Sequence, residues 1–373
     1  MRAVIIGSGP TGLTLGALLA RRGVQVISVD HDGGPASDGS WRRRGVMQFE
    51  LAHGFRPQVH QLLASEWPEA YDEWLRLGAE PITLDVGNAS VIATRSRRST
   101  YERALRAAAA RQHGLELRVG HVDELVERDG QVRGVAIDSR VLEADLVIDA
   151  SGRGTRHHAA GDELGGDCGL AYVNRSYRLR DGAEAGPLTN PIGWFAEFDG
   201  YGVLLFPHEH GHFSVVIGRP TSDEVLRRLR HQDVFEAACR AIPGLDTWTD
   251  PRRATPSRNV LIGARLRNVF RRQRRLDGFV SVGDAVATTT PTAGRGVALC
   301  SMQIRAFVGL LGRRGRAAVD RRAVRRLVRD VHPPVGRRPH RHGHRGGAPL
   351  GGHRVGPVRS VDVGGDRRRR PRR

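Results

Sequence analysis

The sequence predicts an α/β protein, a doubly wound nucleotide-binding fold that carries an inserted antiparallel sheet and ends in a basic tail. Three observations predict it: a strand, glycine loop, helix and strand at the N-terminus, alternating aromatic-bearing segments between about 166 and 260, and an arginine-rich composition from Gly312 onward. A chain of 373 residues is long enough for one large domain or two moderate ones.

The first thirty residues form a β-α-β pattern. Residues 3–6 (AVII) predict a short buried strand, residues 11–22 a helix, and residues 24–29 (VQVISV) a second strand that ends at Asp30. A carboxylate in that position can accept hydrogen bonds from the ribose hydroxyls of a dinucleotide. The order of strand, loop, helix, strand and acid is the one a doubly wound dinucleotide site requires.

The loop has the pattern GxGxxGxxxG, which ends at Gly16. Glycines there permit a tight turn, a close approach of the backbone to a pyrophosphate, and close packing of helix on sheet, while the helix N-terminus faces the phosphates. A glycine-rich turn that binds nothing is the alternative, and the order of the elements argues against it. The residues expected to face the phosphates are Gly7, Gly9, Pro10, Thr11 and Gly12.

The rest of the chain is predicted as follows. Helical spacing over 58–77 lies within an insertion at 50–80, a long helix covers about 99–112, and strands follow at ELRVG, RGVAI and DLVIDASG. A buried strand at 278–284 precedes a Thr/Pro/Gly loop and a helix that begins near Gly296. We therefore divide the chain into 1–165 and 261–311 (the two parts of the cofactor domain), 166–260 (an antiparallel substrate domain) and 312–373 (the tail).

The charge is confined to the tail. Of the formal net charge of +19, twenty arginines and four aspartates after Leu311 contribute +16, so the preceding residues are close to neutral. The chain has no lysine, which fits the codon bias of a GC-rich genome. Its three cysteines lack CxxC or metal spacing, and no apolar stretch reaches the roughly 18 residues that span a bilayer. We expect a soluble, cytoplasmic protein with reduced thiols and no metal.

Three further segments identify the cofactor. WRRRGVMQF at 41–49, DLVIDASGRGTR at 145–156 and VSVGDAVATTTPTAGRGV at 280–297 resemble segments of the FAD-dependent monooxygenases related to aromatic-ring hydroxylases and polyether epoxidases. The resemblance covers about residues 1–311. It implies the glutathione-reductase-type FAD fold, bound FAD, and an electron donor that is NADPH, NADH or a partner flavin reductase.

The resemblance also implies roles for single residues. Gly283 and Asp284 would hold the ribityl chain, and the loop of Pro291, Gly294 and Gly296 would place a helix N-terminus beside the flavin pyrimidine. Three further positions, Arg44, Gln48 and Arg98, match cofactor-facing positions of the family, and Ser151 and Gly152 belong to its second segment. The neighbouring Arg42 and Arg43 are alternatives to Arg44, and any one arginine could instead be solvated.

No catalytic acid, base or nucleophile is evident, because in this family the reduced flavin itself activates molecular oxygen as a C4a-hydroperoxide. The expected substrate is small and lipophilic. An apolar wall is one interpretation of a group of aromatic residues and core packing the other; the group comprises Tyr172, Tyr177, Trp194, Phe195, Phe198 and Phe206. Three histidines, His208, His210 and His212, are expected to form a cluster at the rim of a turn.

Other functions remain open. A reductase of the geranylgeranyl-reductase type shares the same motifs, whereas a flavin-dependent halogenase is disfavoured because its lysine and its W-x-W-x-I-P segment are missing. An inactive remnant whose basic tail binds polyanions is a further alternative. That tail has no aromatic residue for stacking on bases, so we expect no specific nucleic-acid binding.

The tail is predicted to be disordered or translated out of the ancestral frame. From Gly312 onward Phe, Trp, Tyr, Glu, Ile, Thr, Asn and Gln are all missing, and the remaining residue types have GC-rich codons. A native disordered segment is the alternative. If the frame has shifted, reading the gene in its other frames after Leu311 should reveal an open, helix-patterned continuation that contains aromatic residues.

Overall fold

The structure is a computed structural model. It describes residues 1–43, 45–274, 276–291 and 294–313, with only the backbone for Met47, 159–162 and 310–313. The predicted site residue Arg44 and the tail after Arg313 lie outside the described residues.

The chain contains the following elements. The strands are β1 (Arg2–Ile6), β2 (Gln25–Asp30), β3 (Gly54–Phe55), β4 (Glu80–Val86), β5 (Ala89–Arg95), β6 (Leu115–Val119), β7 (Val122–Arg128), β8 (Gln131–Ile137), β9 (Arg140–Glu143), β10 (Leu146–Asp149), β11 (His158–Asp167), β12 (Leu170–Leu179), β13 (Trp194–Phe198), β14 (Tyr201–Pro207), β15 (His212–Pro220), β16 (Ala254–Pro256), β17 (Leu261–Gly263), β18 (Arg267–Gln273), β19 (Phe279–Ser281) and β20 (Ala287–Thr288). The helices are α1 (Pro10–Ala20), α2 (Pro57–Glu66), α3 (Pro68–Arg76), α4 (Arg98–Ala110), α5 (Gln232–Ala241), α6 (Leu245–Thr249) and α7 (Arg295–Arg313).

A parallel sheet of order β19-β10-β1-β2-β6 forms the centre of the fold. Its central strands β1 and β10 are short and mostly apolar, as expected where both faces of a sheet are covered. Helices α1, α2, α3, α4 and α7 pack on one face around Trp67 and Trp74, and the small antiparallel sheet β7-β8-β9 packs on the other. The first β-α-β unit and the later strands therefore meet in one sheet, as the sequence predicts.

A second, antiparallel sheet has the order β13-β14-β15-β12-β16, with β17 also paired to β12. One of its faces buries Tyr177, Phe213 and Val215 against α5 and α6. The three-stranded sheet β11-β18-β20 is built from one strand that precedes the antiparallel sheet in the chain and two strands that follow it. The predicted α/β class with an inserted antiparallel sheet is confirmed.

The structure differs from the predicted elements in detail. The helical pattern over 58–77 is two helices, because the chain breaks at Trp67 and restarts with Pro68 at the first position of α3. The hairpin β4-β5 and the helices α5 and α6 within the inserted region were not predicted. Helix α7 extends to Arg313, two residues into the predicted tail. Within the described residues, no helix has the length and apolar character needed to cross a bilayer.

Candidate functional site

Four strand ends meet at one edge of the parallel sheet. The carboxyl ends of β1, β2, β10 and β19 lie side by side because the strands are parallel neighbours. Gly7, which follows β1, has a φ of +104°, and a side chain there would come within 2.6 Å of the Ala150 carbonyl oxygen. The residues after these strands are thus brought together, as ligand sites in doubly wound sheets require.

Close packing requires glycine at Gly12 and Gly16 of the loop but not at Gly9. A Cβ on Gly12 would lie 1.9 Å from the Gly7 carbonyl oxygen, and one on Gly16 would lie 3.2 Å from a methyl group of Leu115. A Cβ on Gly9 would meet only the Arg43 guanidinium, at 3.9 Å. The packing of the described residues therefore leaves open the space in front of Gly9.

Helix α1 begins directly behind this space. Gly9 is its N-cap, no side chain caps it, and Pro10 occupies the first turn, where its missing N–H costs nothing. Thr11 and Gly12 complete that turn. The uncapped N-terminus presents backbone N–H groups and the positive end of the helix dipole to whatever fills the space.

Asp30 organises the end of β2. One carboxylate oxygen accepts the Ser8 N–H at 2.7 Å and the other accepts the Asp32 N–H at 2.9 Å. The side chain is nearly buried. Asp30 thus fixes the glycine loop as well as standing where a ribose hydroxyl can reach it.

Arg43 is the arginine that the structure places beside the loop. Its guanidinium contacts three carboxylates, at 3.2 Å from Asp30, 3.3 Å from Asp32 and 2.5 Å from Glu102, and the side chain is 6% exposed. Burial opposes the charge, but the carboxylates, Glu102 foremost, raise the pKa of Arg43. Arg42 is exposed.

Two other residues predicted to face the cofactor are Arg98 and Gln48, and Arg98 lies on α4, the helix that holds Glu102. Arg98 begins α4 and donates to the second oxygen of Glu102 at 2.6 Å, so one buried carboxylate holds both arginines. Gln48 lies in the 3₁₀ turn Met47–Glu50, and its side chain makes no hydrogen bond to any described residue.

Ser151 and Gly152 follow β10 and are held by Asp149. The Ser151 N–H and hydroxyl donate to one Asp149 oxygen at 3.0 and 2.6 Å, while the Thr155 hydroxyl donates to the other at 2.5 Å. Gly152 has a φ of +82°. The turn lies against Gly7, so the second segment contributes to the edge of the same site.

Gly283 and Asp284 follow β19 and face the first turn of α1. Gly283 has a φ of +65°, and a side chain there would come within 2.8 Å of the Thr11 hydroxyl. The Asp284 carboxylate receives no hydrogen bond from any described residue, and the residue is partly exposed. Burial raises the pKa of Asp284, although Arg98, Arg153 and Arg271 oppose the shift. This carboxylate therefore has unused acceptor capacity.

The last part of the groove lies at the start of α7. The Gly294 N–H donates to the Pro291 carbonyl at 2.9 Å, Gly294 has a φ of +58°, and a Cβ there would lie 3.3 Å from the Gly54 carbonyl oxygen. Nothing lies within 4 Å of a Cβ added to Gly296. Phe206 approaches Gly54 from the antiparallel sheet, at 3.3 Å from its added Cβ. An aromatic wall thus closes this end.

These residues define one continuous groove. It begins at Asp30, passes the open face of Gly9 and the first turn of α1, continues along Asp284, and ends at Gly294. An extended dinucleotide with a hydroxylated chain fits its chemistry, because helix N-terminal N–H groups and arginines suit a pyrophosphate, and the Asp284 carboxylate, which has no donor among the described residues, suits hydroxyl groups.

Some aromatic residues are core and others face the groove. Tyr177 and Trp194 are buried in the core of the antiparallel sheet, where the Tyr177 hydroxyl donates to Glu236 at 2.5 Å. Phe195 and Phe206 pack together, with ring centroids 5.3 Å apart, next to Gly54. Of the aromatic residues proposed as an apolar wall, Phe195 and Phe206 therefore remain candidates, whereas Tyr177 and Trp194 belong to the core.

Sequence reasoning missed the acidic residues that hold Arg43, Arg98 and the Ser151–Gly152 turn in place. Asp32, Glu102 and Asp149 have no distinctive motif, and only Glu102, four residues after Arg98, could have been suspected from helical spacing. The three histidines do meet at one cavity, described below. No group of three metal-binding side chains occurs in the described parts of the chain.

Comparisons with known proteins agree with this geometry. Residues 1–306 match the family model described as an FAD binding domain. Protein Rv3254 of Mycobacterium tuberculosis is 26% identical over 297 residues, which cover 70% of this chain and 60% of that protein. The chain therefore spans well under two thirds of the length of this curated relative.

Solved structures share the fold. The myxobacterial chondrochloren halogenase CndH superposes with a TM-score of 0.66 at 17% identity, covering 88% of this chain and 78% of the halogenase. PqsL of Pseudomonas aeruginosa, described as a probable FAD-dependent monooxygenase, superposes with a TM-score of 0.65 at 15% identity, covering 89% and 90%. At such identities the likeness concerns the fold.

Proposed function

The chain belongs to the FAD-binding domain family, and from that premise we propose that it is an FAD-dependent monooxygenase that hydroxylates or epoxidises a small lipophilic substrate. Bound FAD would supply the redox and oxygen chemistry, with electrons from NADPH, NADH or a partner flavin reductase. The side chains of the groove would bind, orient and shield.

Two features of the groove support the proposal most: the open space in front of Gly9, and the Asp284 carboxylate, which has no donor among the described residues. Among the described residues, no atom lies nearer to the space before Gly9 than the Arg43 guanidinium, and the Asp284 carboxylate has no hydrogen-bond donor. A pyrophosphate would satisfy the first, and the hydroxyl groups of a ribityl chain would satisfy the second. Each feature would be hard to explain in a protein without a cofactor.

The other residues have matching tasks. Asp30 would accept from the ribose, and Arg43 and Arg98 would face the phosphates while Glu102 holds them in place. The Ser151–Gly152 turn would border the pyrophosphate. The first turn of α7, after Pro291, would direct its dipole at the flavin ring.

The substrate would lie against the aromatic end of the groove. Phe206 and Phe195 present an apolar surface beside Gly54 and Gly294, and such a surface favours an uncharged ring or chain over water. Exclusion of water there would protect reactive oxygen species from unproductive release.

The test is oxygen consumption by the purified full-length protein with FAD and NADPH, NADH or an added flavin reductase, in the presence of a panel of phenols and alkenes. We expect oxygen uptake that rises with substrate and an oxygenated product. Substrate reduction without oxygen uptake would replace the monooxygenase with a reductase. Product halogenation in the presence of chloride or bromide would contradict the proposal, and the lack of any lysine argues against that chemistry.

A further inference from the structure

A second cavity, of about 520 Å³, lies beside the groove and is not part of it. It is bounded by the first turns of α4, by Trp41 and residues 49–51, and by His208, His210 and His212 at the turn between β14 and β15. Trp41 separates the two regions: its ring lies 5.6 Å from the Arg43 guanidinium on the cofactor side and 5.7 Å from the Arg103 guanidinium, which lines the cavity.

The cavity has an excess of positive charge. Three arginines line it, and two have fixed partners: Arg97 contacts Glu209 at 2.6 Å, and Arg258 contacts Glu50 at 2.8 Å. Glu209 is 1% exposed and is also bonded to the Thr100 hydroxyl, so its carboxylate is already occupied and does not pair with the third arginine, Arg103.

Arg103 is the third arginine, and no carboxylate of the described residues lies within salt-bridge distance of it. The charges that act on it are that of Arg97, which opposes its own charge, and more weakly that of Glu50, which is already paired with Arg258. The guanidinium is half-buried and lies over Trp41. Burial, and after it the Arg97 charge, lowers the pKa of Arg103. A cation in such a place is stabilised most by an anion that enters the cavity.

The remaining wall suits an anion that has an organic body. Hydroxyl groups of Ser99 and Ser257 line the cavity, and the positive end of the α4 dipole faces it, since α4 is a 13-residue helix whose first turn forms the wall. Phe49 and Leu51 add an apolar surface. Charge, hydroxyl donors and apolar surface together fit a carboxylate or phosphate on an organic ligand.

We propose that this cavity is an organic-oxyanion site in which Arg103 binds a carboxylate or phosphate, next to the cofactor groove. Such an oxyanion has two possible sources, a carboxylate on the substrate or a phosphate of the nicotinamide donor. The site does not depend on the reaction that the flavin performs, so its binding can be tested without turnover.

The experiment is calorimetric titration of the FAD-saturated full-length protein with 2-naphthoate, its uncharged analogue 2-naphthamide, NADP⁺ and NAD⁺. We expect 2-naphthoate to bind at least tenfold more tightly than 2-naphthamide, or NADP⁺ to bind at least tenfold more tightly than NAD⁺, which keeps the pyrophosphate and lacks only the 2′-phosphate. Discrimination between the naphthyl compounds points to a substrate carboxylate, and discrimination between the nucleotides points to the 2′-phosphate.

Variants assign the effect to Arg103. We expect Arg103→Gln to weaken the preferred oxyanion ten- to a hundred-fold and to leave the uncharged analogue unchanged, whereas Arg103→Lys restores binding to within about tenfold of the natural protein. Arg140→Gln, an exposed arginine on β9, is the matched control. Retained FAD in each variant reports folding. Equal binding of charged and uncharged probes, or unchanged oxyanion affinity in Arg103→Gln, would overturn the proposal.

Discussion

At the scale of single residues, Gly9 separates cofactor binding from folding. Its φ of −76° suits any residue, and an added Cβ meets only Arg43 at 3.9 Å, so a larger side chain has room in the protein itself. We expect Gly9→Val to fold and to lose FAD, because the side chain fills the space of the pyrophosphate. Thermal unfolding and flavin absorbance measure the two effects.

The matched control is Gly309→Ala, which lies in α7 with nothing within 4 Å of the added Cβ. It should retain FAD and unfold at the same temperature or slightly higher. A folded Gly9→Val protein with a full complement of FAD would contradict the assignment of the loop.

Asp284 should affect cofactor affinity more than stability. In the protein alone its carboxylate is partly buried and receives no bond from a described residue, so Asp284→Asn should cost the apoprotein little. Loss of a charge-assisted bond of roughly 1.5–3 kcal/mol predicts about ten- to a hundred-fold weaker FAD binding. Quenching of flavin fluorescence measures the dissociation constant, with exposed Asp199→Asn as control. An unchanged constant would assign Asp284 to the turn alone.

The arginines can be ranked by the same measurement. We expect Arg43→Ala to weaken FAD binding by tenfold or more, because it removes the cation beside Gly9 and leaves Asp30, Asp32 and Glu102 without their shared partner. The exposed Arg42→Ala should bind FAD normally. If Arg44→Ala has the larger effect and Arg43→Ala none, the sequence pattern locates the phosphate-facing arginine better than the packing does.

Sequence reasoning at this scale succeeded where backbone geometry is restrictive. Gly7 and Gly12 could be predicted because close backbone contacts there exclude side chains, and Gly283 because its φ of +65° favours glycine. Which of the three consecutive arginines is buried could not be predicted, because the answer depends on which of them contacts the buried carboxylates. Those carboxylates come from distant parts of the chain and leave no local signal.

At the scale of elements, the turn between β14 and β15 should make stability depend on pH. Burial lowers the pKa of His208 to about 4, against the opposing charge of Glu209. The groups around it are Arg97, His212, the Ser96 backbone and the Ser214 hydroxyl. An unfolded histidine titrates near 6.5, so between pH 6.5 and 4 the unfolded chain binds the extra proton, and stability falls as the pH falls.

The expected contribution is on the order of 3 kcal/mol, present in full above pH 6.5 and lost towards pH 4. We expect His208→Gln to unfold with a flatter pH dependence across this window, measured by urea denaturation at pH 7, 5.5 and 4.5. The exposed His113→Gln should follow the natural protein. Parallel curves for His208→Gln and the natural protein would show that another group dominates.

Periodicity predicted the elements that are amphipathic or wholly buried. The first β-α-β unit and α4 follow the pattern to within two residues. The hairpin β4-β5 was missed because most of its side chains are exposed or half-exposed, which removes the alternation that marks a strand. The split between α2 and α3 could have been inferred from Pro68, since the residue before a proline avoids the helical region.

At the scale of the whole molecule, the fold assembles the groove from sequence-distant parts. Gly9, Asp30, Ser151 and Asp284 lie on four neighbouring strand ends, and the parallel order of the sheet brings them to one edge. This arrangement could be predicted from the motifs. The cationic cavity could not be predicted, because its walls come from α4, from Trp41 and residues 49–51, and from the antiparallel sheet, and no motif encodes how these parts are placed relative to one another.

The most direct test of the account is the absorption spectrum of the purified full-length protein, followed by identification of the released cofactor and a titration of the apoprotein with FAD. We predict flavin bands, release of FAD rather than FMN, and one FAD per chain, with a higher unfolding temperature when FAD is in excess. Absence of flavin bands, together with failure of the folded apoprotein to take up FAD, would contradict the central claim that this groove is an FAD site.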